Sequence, residues 1–400
     1  MSILDKCRQF DRSERVKEQG LYPYFRVIQD SEGPVVTMEG REVIMAGSNN
    51  YLGLTAHPRV KEASIRAIEK YGTSCSGSRF LTGTIDLHEE MEERIARYMG
   101  YESALLFSTG FQTGQGVIAP LIGRGDYLVS DKDNHASIVA GSLLAASMNA
   151  NLVRYRHNDM DDLERRLSRI PPDAPKLIAT DGVFSTFGTV VELDRLTALA
   201  RAYDAQVVVD DAHGFGVIGP DGKGTAHHFG VQDDVDLVLC TFSKTLASIG
   251  GFVVGDERTI NYLKHKSPAL IFSASPTPAS VASAIAALQV LEDEPDLPAR
   301  VRHNAEYVRS GLRTLGFDVP DGETAIVPVF IGDDEKTFLF WRRLYDRGVF
   351  VNAFISPATP PGRQMLRTSY MATHETHHLD QVIEAFDAVG RELGILRAVA

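Results

Sequence analysis

Cysteine is scarce in this 400-residue sequence: there are three, Cys7, Cys75 and Cys240, and none sits in a CxxC or CxxH pair. A disulfide framework and a thiolate zinc site are both disfavoured. Positive charge is also in short supply. With 41 Lys and Arg against 53 Asp and Glu the formal net charge is −12, and no basic cluster interrupts it, so a nucleic-acid backbone is an unfavourable partner. No apolar run approaches the roughly eighteen residues of a membrane span. The opening Met1-Ser2-Ile3-Leu4-Asp5-Lys6 becomes charged too early for a secretory signal core. These absences predict a cytoplasmic chain without stable membrane insertion. Internal repeats, low-complexity tracts and Pro/Ser-rich linkers are missing as well. What is present is an ordinary globular composition, 44% apolar and 24% charged, in a chain long enough for roughly two or three domains.

Between about residues 100 and 255 a short β-branched run repeatedly ends in a polar or glycine-bearing turn and gives way to a helical stretch. Asp126-Tyr-Leu-Val-Ser-Asp131, Lys176-Leu-Ile-Ala-Thr-Asp181, Gln206-Val-Val-Val-Asp210, Asp236-Leu-Val-Leu-Cys240 and Gly251-Phe-Val-Val-Gly255 are the runs. Near-continuous apolar strands predict a mostly parallel sheet buried on both faces, in an α/β domain flanked by helices. Helix-like segments lie between them, such as 56–71, with Pro58 in its first turn, and 193–203. From about residue 290 the pattern changes to helix, strand, helix, strand, helix. The expected layout is an N-terminal arm (1–50), a large domain (51–290) and a smaller α+β C-terminal domain (291–400). Residues 338–345, with Trp341 and Arg342-Arg343, are a weak candidate for a membrane-surface helix, against the simpler reading of a packed one.

In open α/β sheets ligands bind beyond the carboxyl ends of the strands, and four groups of residues fall there. Asp210, Asp211 and His213 follow three valines, either as a solvated strand end or as electrostatic partners at a site. Lys244, in Thr241-Phe-Ser-Lys-Thr, is either a surface amine or one that forms a Schiff base with a carbonyl compound. One strand–helix–strand unit separates it from Asp210, which would bring the two to neighbouring strand tips. Ser108-Thr-Gly-Phe-Gln-Thr-Gly114 is a plain turn or a helix N-terminus whose backbone N–H groups receive a phosphate. His135, in Ser130-Asp-Lys-Asp-Asn-His-Ala-Ser137, also follows a strand.

Two patterns are decoys. Gly214-Phe-Gly-Val-Ile-Gly219 matches G-x-G-x-x-G, but Pro220-Asp-Gly-Lys-Gly224 follows where a nicotinamide site needs a helix. His374, His377 and His378 have ligand-like spacing but no clear partner carboxylates, so a solvated or capping role is expected and no metal site is assigned.

A phosphate cradle, a strand-end aspartate with a histidine three residues on, and a strand-end lysine suit pyridoxal 5′-phosphate, whose pyridine nitrogen wants a carboxylate and whose aldehyde wants an amine. In Val209-Asp-Asp-Ala-His-Gly-Phe-Gly216 and Thr241-Phe-Ser-Lys244 these residues resemble the α-oxoamine synthase family. The resemblance runs over about residues 20 to 390. It extends to Ser48-Asn-Asn-Tyr-Leu-Gly-Leu54, Gly77-Ser-Arg-Phe80 with Gly83-Thr84, Asn134-His-Ala-Ser137, Asp181-Gly-Val-Phe-Ser185 and Leu366-Arg-Thr-Ser369.

The resemblance implies a fold type I pyridoxal-phosphate transferase and a role for each matching residue. Lys244 is then the Schiff-base lysine and the base at Cα, Asp210 the partner of the pyridine nitrogen, and His213 a hydrogen-bond partner of the ring's phenolic oxygen. Ser185 lies beside that oxygen, and His135 stacks on the ring and reaches the substrate carboxylate. Gly110, Phe111 and Thr241 hold the phosphate, with Ser273 and Ala274 lent to it by a partner subunit, which implies a homodimer with shared sites. Arg367 and Asn50 bind the amino-acid carboxylate.

The implied reaction joins an amino acid to an acyl-CoA with loss of CO2. Segments 72–84, 241–252 and 272–280, with Arg26 and the Asn352 region, most resemble the branch that condenses L-serine with palmitoyl-CoA to 3-ketodihydrosphingosine, the first step of sphingolipid synthesis. Glycine- or alanine-using branches are the alternative. From that branch Thr245 and Pro276 depart, the first standing where a second serine usually follows the lysine.

Overall fold

The computed structural model describes residues 2–31 and 33–396. The chain forms two compact units, one of residues 49–302 and one combining Met1–Ser48 with His303–Ala400.

The first three strands belong to the second of these: β1 (Ile28–Ser31), β2 (Val35–Met38) and β3 (Arg41–Met45). The unit of residues 49–302 holds the next seven: β4 (Ser103–Phe107), β5 (Tyr127–Asp131), β6 (Asn151–Tyr155), β7 (Lys176–Asp181), β8 (Gln206–Asp210), β9 (Leu237–Thr241) and β10 (Gly251–Gly255). They form one sheet in the order β4-β10-β9-β8-β7-β5-β6. All run parallel except β10, which is antiparallel to both neighbours. This is the fold type I α/β architecture expected.

The strands of the middle are buried along their length because helices cover both faces, which is why their sequences read as unbroken apolar runs. β6 is one of the two edge strands and is partly exposed. It accordingly carries Asn151 and Arg154, a polar mix that blunts pairing with another chain. Crossover helices start at local caps: Thr109 accepts the Gln112 N–H at 3.2 Å and Asp159 that of Asp162 at 2.8 Å. The register sets Asp181 opposite Asp210, and Gly251 opposite both Thr241 and Phe107. One edge of the sheet therefore gathers the ends of β4, β7, β8 and β9 and the start of β10.

The other unit carries a four-stranded sheet, β1-β2-β3 with β12 (Val349–Phe350), and a three-stranded one in which β14 (Met365–Ser369) lies between β11 (Ile326–Phe330) and β13 (Asn352–Phe354). Its core holds Phe317, Phe340, Trp341, Tyr345 and Phe386. Phe338, Trp341, Leu344 and Tyr345 are buried faces of helix Asp334–Asp346, so this segment is packed rather than a membrane-surface helix. Among the described residues no helix is long and apolar enough to cross a membrane.

Candidate active site

The strand edge described above opens on a cavity of about 340 Å³, within the size range of small-molecule sites. Its lining includes Gly110, Phe111, His135, Asp210, Thr241 and Lys244.

At its floor the Asp210 carboxylate is buried and accepts the Ala212 N–H at 3.2 Å and the Ser137 hydroxyl at 3.4 Å. Burial raises its pKa, and Lys244 and then His135 oppose the rise. A cation bound against it would add to that pull toward the ionised form. On the neighbouring strand, burial and Asp210 push the pKa of Asp181 well above the ordinary carboxylate range. Both Asp181 oxygens lie 3.1 Å from the His135 backbone nitrogen, and the Asp181 N–H donates to the Asn134 side chain at 2.9 Å. Asp181 thereby fixes the turn that presents His135.

His135 caps helix Ala136–Ser147, its Nδ1 lying 2.8 Å from the Ser137 hydroxyl. Burial lowers its pKa, so the ring is biased toward the neutral form. His213 is buried with Nδ1 2.6 Å from the Tyr51 hydroxyl.

Lys244 lies half-buried in the loop from Thr241 to Gly250. That loop is closed at its neck by the Phe242 N–H on the Gly250 carbonyl at 2.9 Å, and at its tip by the Ser248 hydroxyl on the Ser280 carbonyl at 2.6 Å. Gly250 has φ +147, and a Cβ there would meet the Phe242 ring. Ala247 in the same loop has φ 52, the sort of backbone strain that surrounding contacts must hold in place.

The first turn of helix Gly110–Leu121 lines the cavity with Gly110 and Phe111, at the end where an α-helix leaves N–H groups without intrahelical partners. A Cβ on Gly110 would lie 2.5 Å from Thr241, so glycine is what lets helix and strand tip come this close. The Thr241 hydroxyl accepts the Ser243 N–H and donates to the Gly250 carbonyl, both at 3.1 Å. Ser273 and Ala274 reach the same end: Gln112 donates to the Ser273 hydroxyl at 2.8 Å, and the Ser108 hydroxyl to the Ala274 carbonyl. The residues present fit pyridoxal phosphate in each respect: a carboxylate at the floor, an amine at the side, and N–H and hydroxyl donors for a phosphate at one end.

The other residues singled out are not among the lining residues of this cavity. Asn50 donates to the Thr55 hydroxyl at 2.8 Å. Ser185 follows β7, inside the turn closed by the Val183–Val190 bridge. Arg367 is buried on β14 of the other unit, in register with Pro328 and Asn352. The sequence reading gave no individual role to Asp181 or Tyr51, although both stand inside quoted motifs; an acidic strand end beside Asp210 was the available signal for Asp181.

The decoys have structural explanations. Cβ atoms on Gly214 and Gly224 would run into Asp211, which is buried and accepts the Thr225 N–H at 2.6 Å. Glu375 and His378 form a capping box on helix Thr376–Glu392, and His374 accepts the Met371 N–H at 2.9 Å.

The sequence profile of the family "Aminotransferase class I and II" matches residues 41–386. A serine palmitoyltransferase (SPT) of Sphingobacterium spiritivorum is 47% identical, over 98% of both chains. An 8-amino-7-oxononanoate synthase of Geobacter sulfurreducens is 43% identical, over 96% of this chain and 98% of that one. A high-resolution structure of SPT with its pyridoxal-phosphate internal aldimine superposes with a TM-score of 0.96 at 34% identity, covering 99% of this chain and all of the other. The chain belongs to the aminotransferase class I and II family, in its α-oxoamine synthase branch, and is a pyridoxal-phosphate enzyme of the acyltransferase type.

Proposed function

We propose that the protein condenses L-serine with a long-chain acyl-CoA, palmitoyl-CoA in the first instance, giving 3-ketodihydrosphingosine, CoA and CO2. The observation that carries this reading is the 47% identity to a serine palmitoyltransferase along 98% of each chain.

Pyridoxal phosphate, when bound, supplies an electron sink for negative charge at the amino acid's Cα. Lys244 would hold it covalently through Nζ and, once released, take the Cα proton at that atom. Asp210 would keep the ring nitrogen protonated, and His213, with Ser185 nearby, would bond the phenolic oxygen. Gly110 and Phe111 N–H groups and the Thr241 hydroxyl would hold the phosphate, joined by Ser273 and Ala274 in a homodimer that shares its sites. Neutral His135 would lie on the ring. Arg367, with Asn50, would grip the substrate carboxylate, a task suited to a planar bidentate fork. Holding the carboxylate selects which Cα bond breaks at each stage. Lys244 would take the Cα proton first, the new C–C bond would form as the C–S bond releases CoA, and once the carboxylate has left as CO2 a proton would return to Cα.

The 43% identity to an 8-amino-7-oxononanoate synthase supports a second reading, with alanine and a pimeloyl thioester. Saturating serine, glycine and alanine, each paired with palmitoyl-, pimeloyl- and acetyl-CoA, separate the two. The expected maximum is serine with palmitoyl-CoA. A preference for glycine or alanine, or for the short thioesters, would sink the serine assignment while leaving the enzyme class intact.

A further inference from the structure

His88 has no part in the chemistry above, yet it is fully buried and uses both ring nitrogens. Its Nδ1 accepts the Ile85 N–H at 3.0 Å, capping helix Asp86–Met99. Nε2 lies 3.1 Å from the Pro276 carbonyl. A carbonyl only accepts, so Nε2 carries the hydrogen and the ring is neutral in one tautomer. Burial also pushes its pKa down to about 4, so this arrangement holds across the physiological range.

The carbonyl it grips ends a short segment fastened on two sides. Proline has no N–H to offer, so Pro276 is tied by its oxygen, which also receives the Cys75 thiol at 3.7 Å. One residue earlier, the Ser275 N–H and hydroxyl both donate to the Gly77 carbonyl, at 2.9 and 3.0 Å. On the opposite side the segment meets the turn that opens helix Gly110–Leu121, through Ser108 on the Ala274 carbonyl and Gln112 on Ser273. His88 thus stands behind the residues nearest the helix N-terminus.

We propose that His88 is a positioning residue for the phosphate end of the shared sites: by holding Pro276 it keeps Ser273 and Ala274 in place against Ser108 and Gln112 of the same chain, ready to be lent to the partner subunit's phosphate. The proposal rests on the phosphate reading of that helix N-terminus. Its physical basis is preorganisation, since a segment ordered before the anion arrives does not have to be ordered by it. Pro276, a departure from the related branch, then serves the frame of the site rather than the choice of substrate.

The test compares apo wild type, His88→Asn and His88→Gln, each titrated by absorbance with pyridoxal 5′-phosphate and with pyridoxal, which lacks the phosphate. Asn keeps an acceptor where Nδ1 stands but cannot reach Pro276. Gln places an amide nitrogen near the position of Nε2. His88→Asn should bind pyridoxal phosphate about tenfold more weakly with its affinity for pyridoxal unchanged, and His88→Gln should recover most of the loss. A loss in His88→Asn that is equal for both ligands, or no loss, overturns the role. If wild type binds both ligands equally well, the phosphate reading fails, and this proposal with it. Ser275→Ala leaves the helix cap untouched and keeps the question open to measurement if His88→Asn does not fold. It should show the same phosphate-selective loss, about two- to threefold, and an unselective loss counts against the proposal.

Discussion

The two ends of the seven-stranded sheet carry the same residue types and use them differently. At the amino ends Lys176 is buried, with Nζ on the carbonyls of Pro172 and Ala174 at 2.8 and 2.7 Å. Asp236 accepts the Val207 N–H and Asp126 the Gly123 N–H, both at 2.7 Å. A cavity of about 190 Å³ lies among them, but each of these charges already faces matching main-chain groups. At the carboxyl ends Asp181 and Asp210 stand in register on adjacent strands, and the charges acting on Asp210 are those of Lys244 and His135. A buried charge satisfied by backbone anchors a fold. Buried charges set against one another are costly to assemble and shift each other's protonation, which is where chemistry becomes available.

The sharpest way to break this comparison is to remove one charge from each end. Lys244→Ala should abolish the yellow absorbance of the reconstituted protein and lower turnover on the order of 10⁴-fold, with unfolding little changed. Asp210→Asn should cost about 10²- to 10³-fold in turnover, since an amide cannot hold a ring nitrogen protonated. At the amino end, Lys176→Met should leave kcat and KM near wild type and lower stability by about 1–3 kcal/mol, because two carbonyls lose their donor. Denaturant titration beside steady-state kinetics reads both ends; a fall in kcat for Lys176→Met at full cofactor occupancy would erase the distinction.

Asp211 tests the boundary, being adjacent to Asp210 yet tied to Thr225. Burial pushes its pKa up to about 6, against the Thr225 donors, from about 3.9 in an unfolded chain. Because the folded value is the higher one, folding favours the neutral form. The contribution to stability is therefore complete below about pH 4 and is lost as pH rises through 6, by about 3 kcal/mol. Unfolding of wild type and Asp211→Asn should diverge across that window, with wild type losing ground as pH increases. A difference between them that is constant with pH would mean that Asp211 is ionised throughout.

The class of fold was legible because both-face burial leaves its mark on every central strand: the runs ending at Asp131, Asp181 and Asp210 all reappear as strands. The family was legible because its motifs are ordered and specific. The direction of β10 was not, since Gly251–Gly255 reads the same way forwards or backwards across a buried sheet. The glycines of 214–224 misled for a related reason. A sequence shows that a side chain is missing but not what occupies the space, and here the occupant is Asp211. Tyr51 and His88 were silent because their contacts, to His213 and Pro276, close over long separations in the chain.

The smallest expected effect concerns Thr245, which stands beside Lys244 but faces the frame. It is buried, its hydroxyl donates to the Phe215 carbonyl at 2.8 Å, and a Cβ on Gly216 would strike it. Glycine is doubly required there, as Gly216 also has φ +75. Thr245 is not among the cavity's lining residues. It links the lysine loop to the one bearing His213. Thr245→Ser keeps the hydroxyl and deletes one methyl group, so a loss of about 1 kcal/mol in stability is expected. The kcat/KM ratios among serine, glycine and alanine should stay within about twofold of wild type. A changed order of those three amino acids would mean that this methyl acts on the substrate, and the division between the residues that frame the site and those that react in it would have to be redrawn through Thr245.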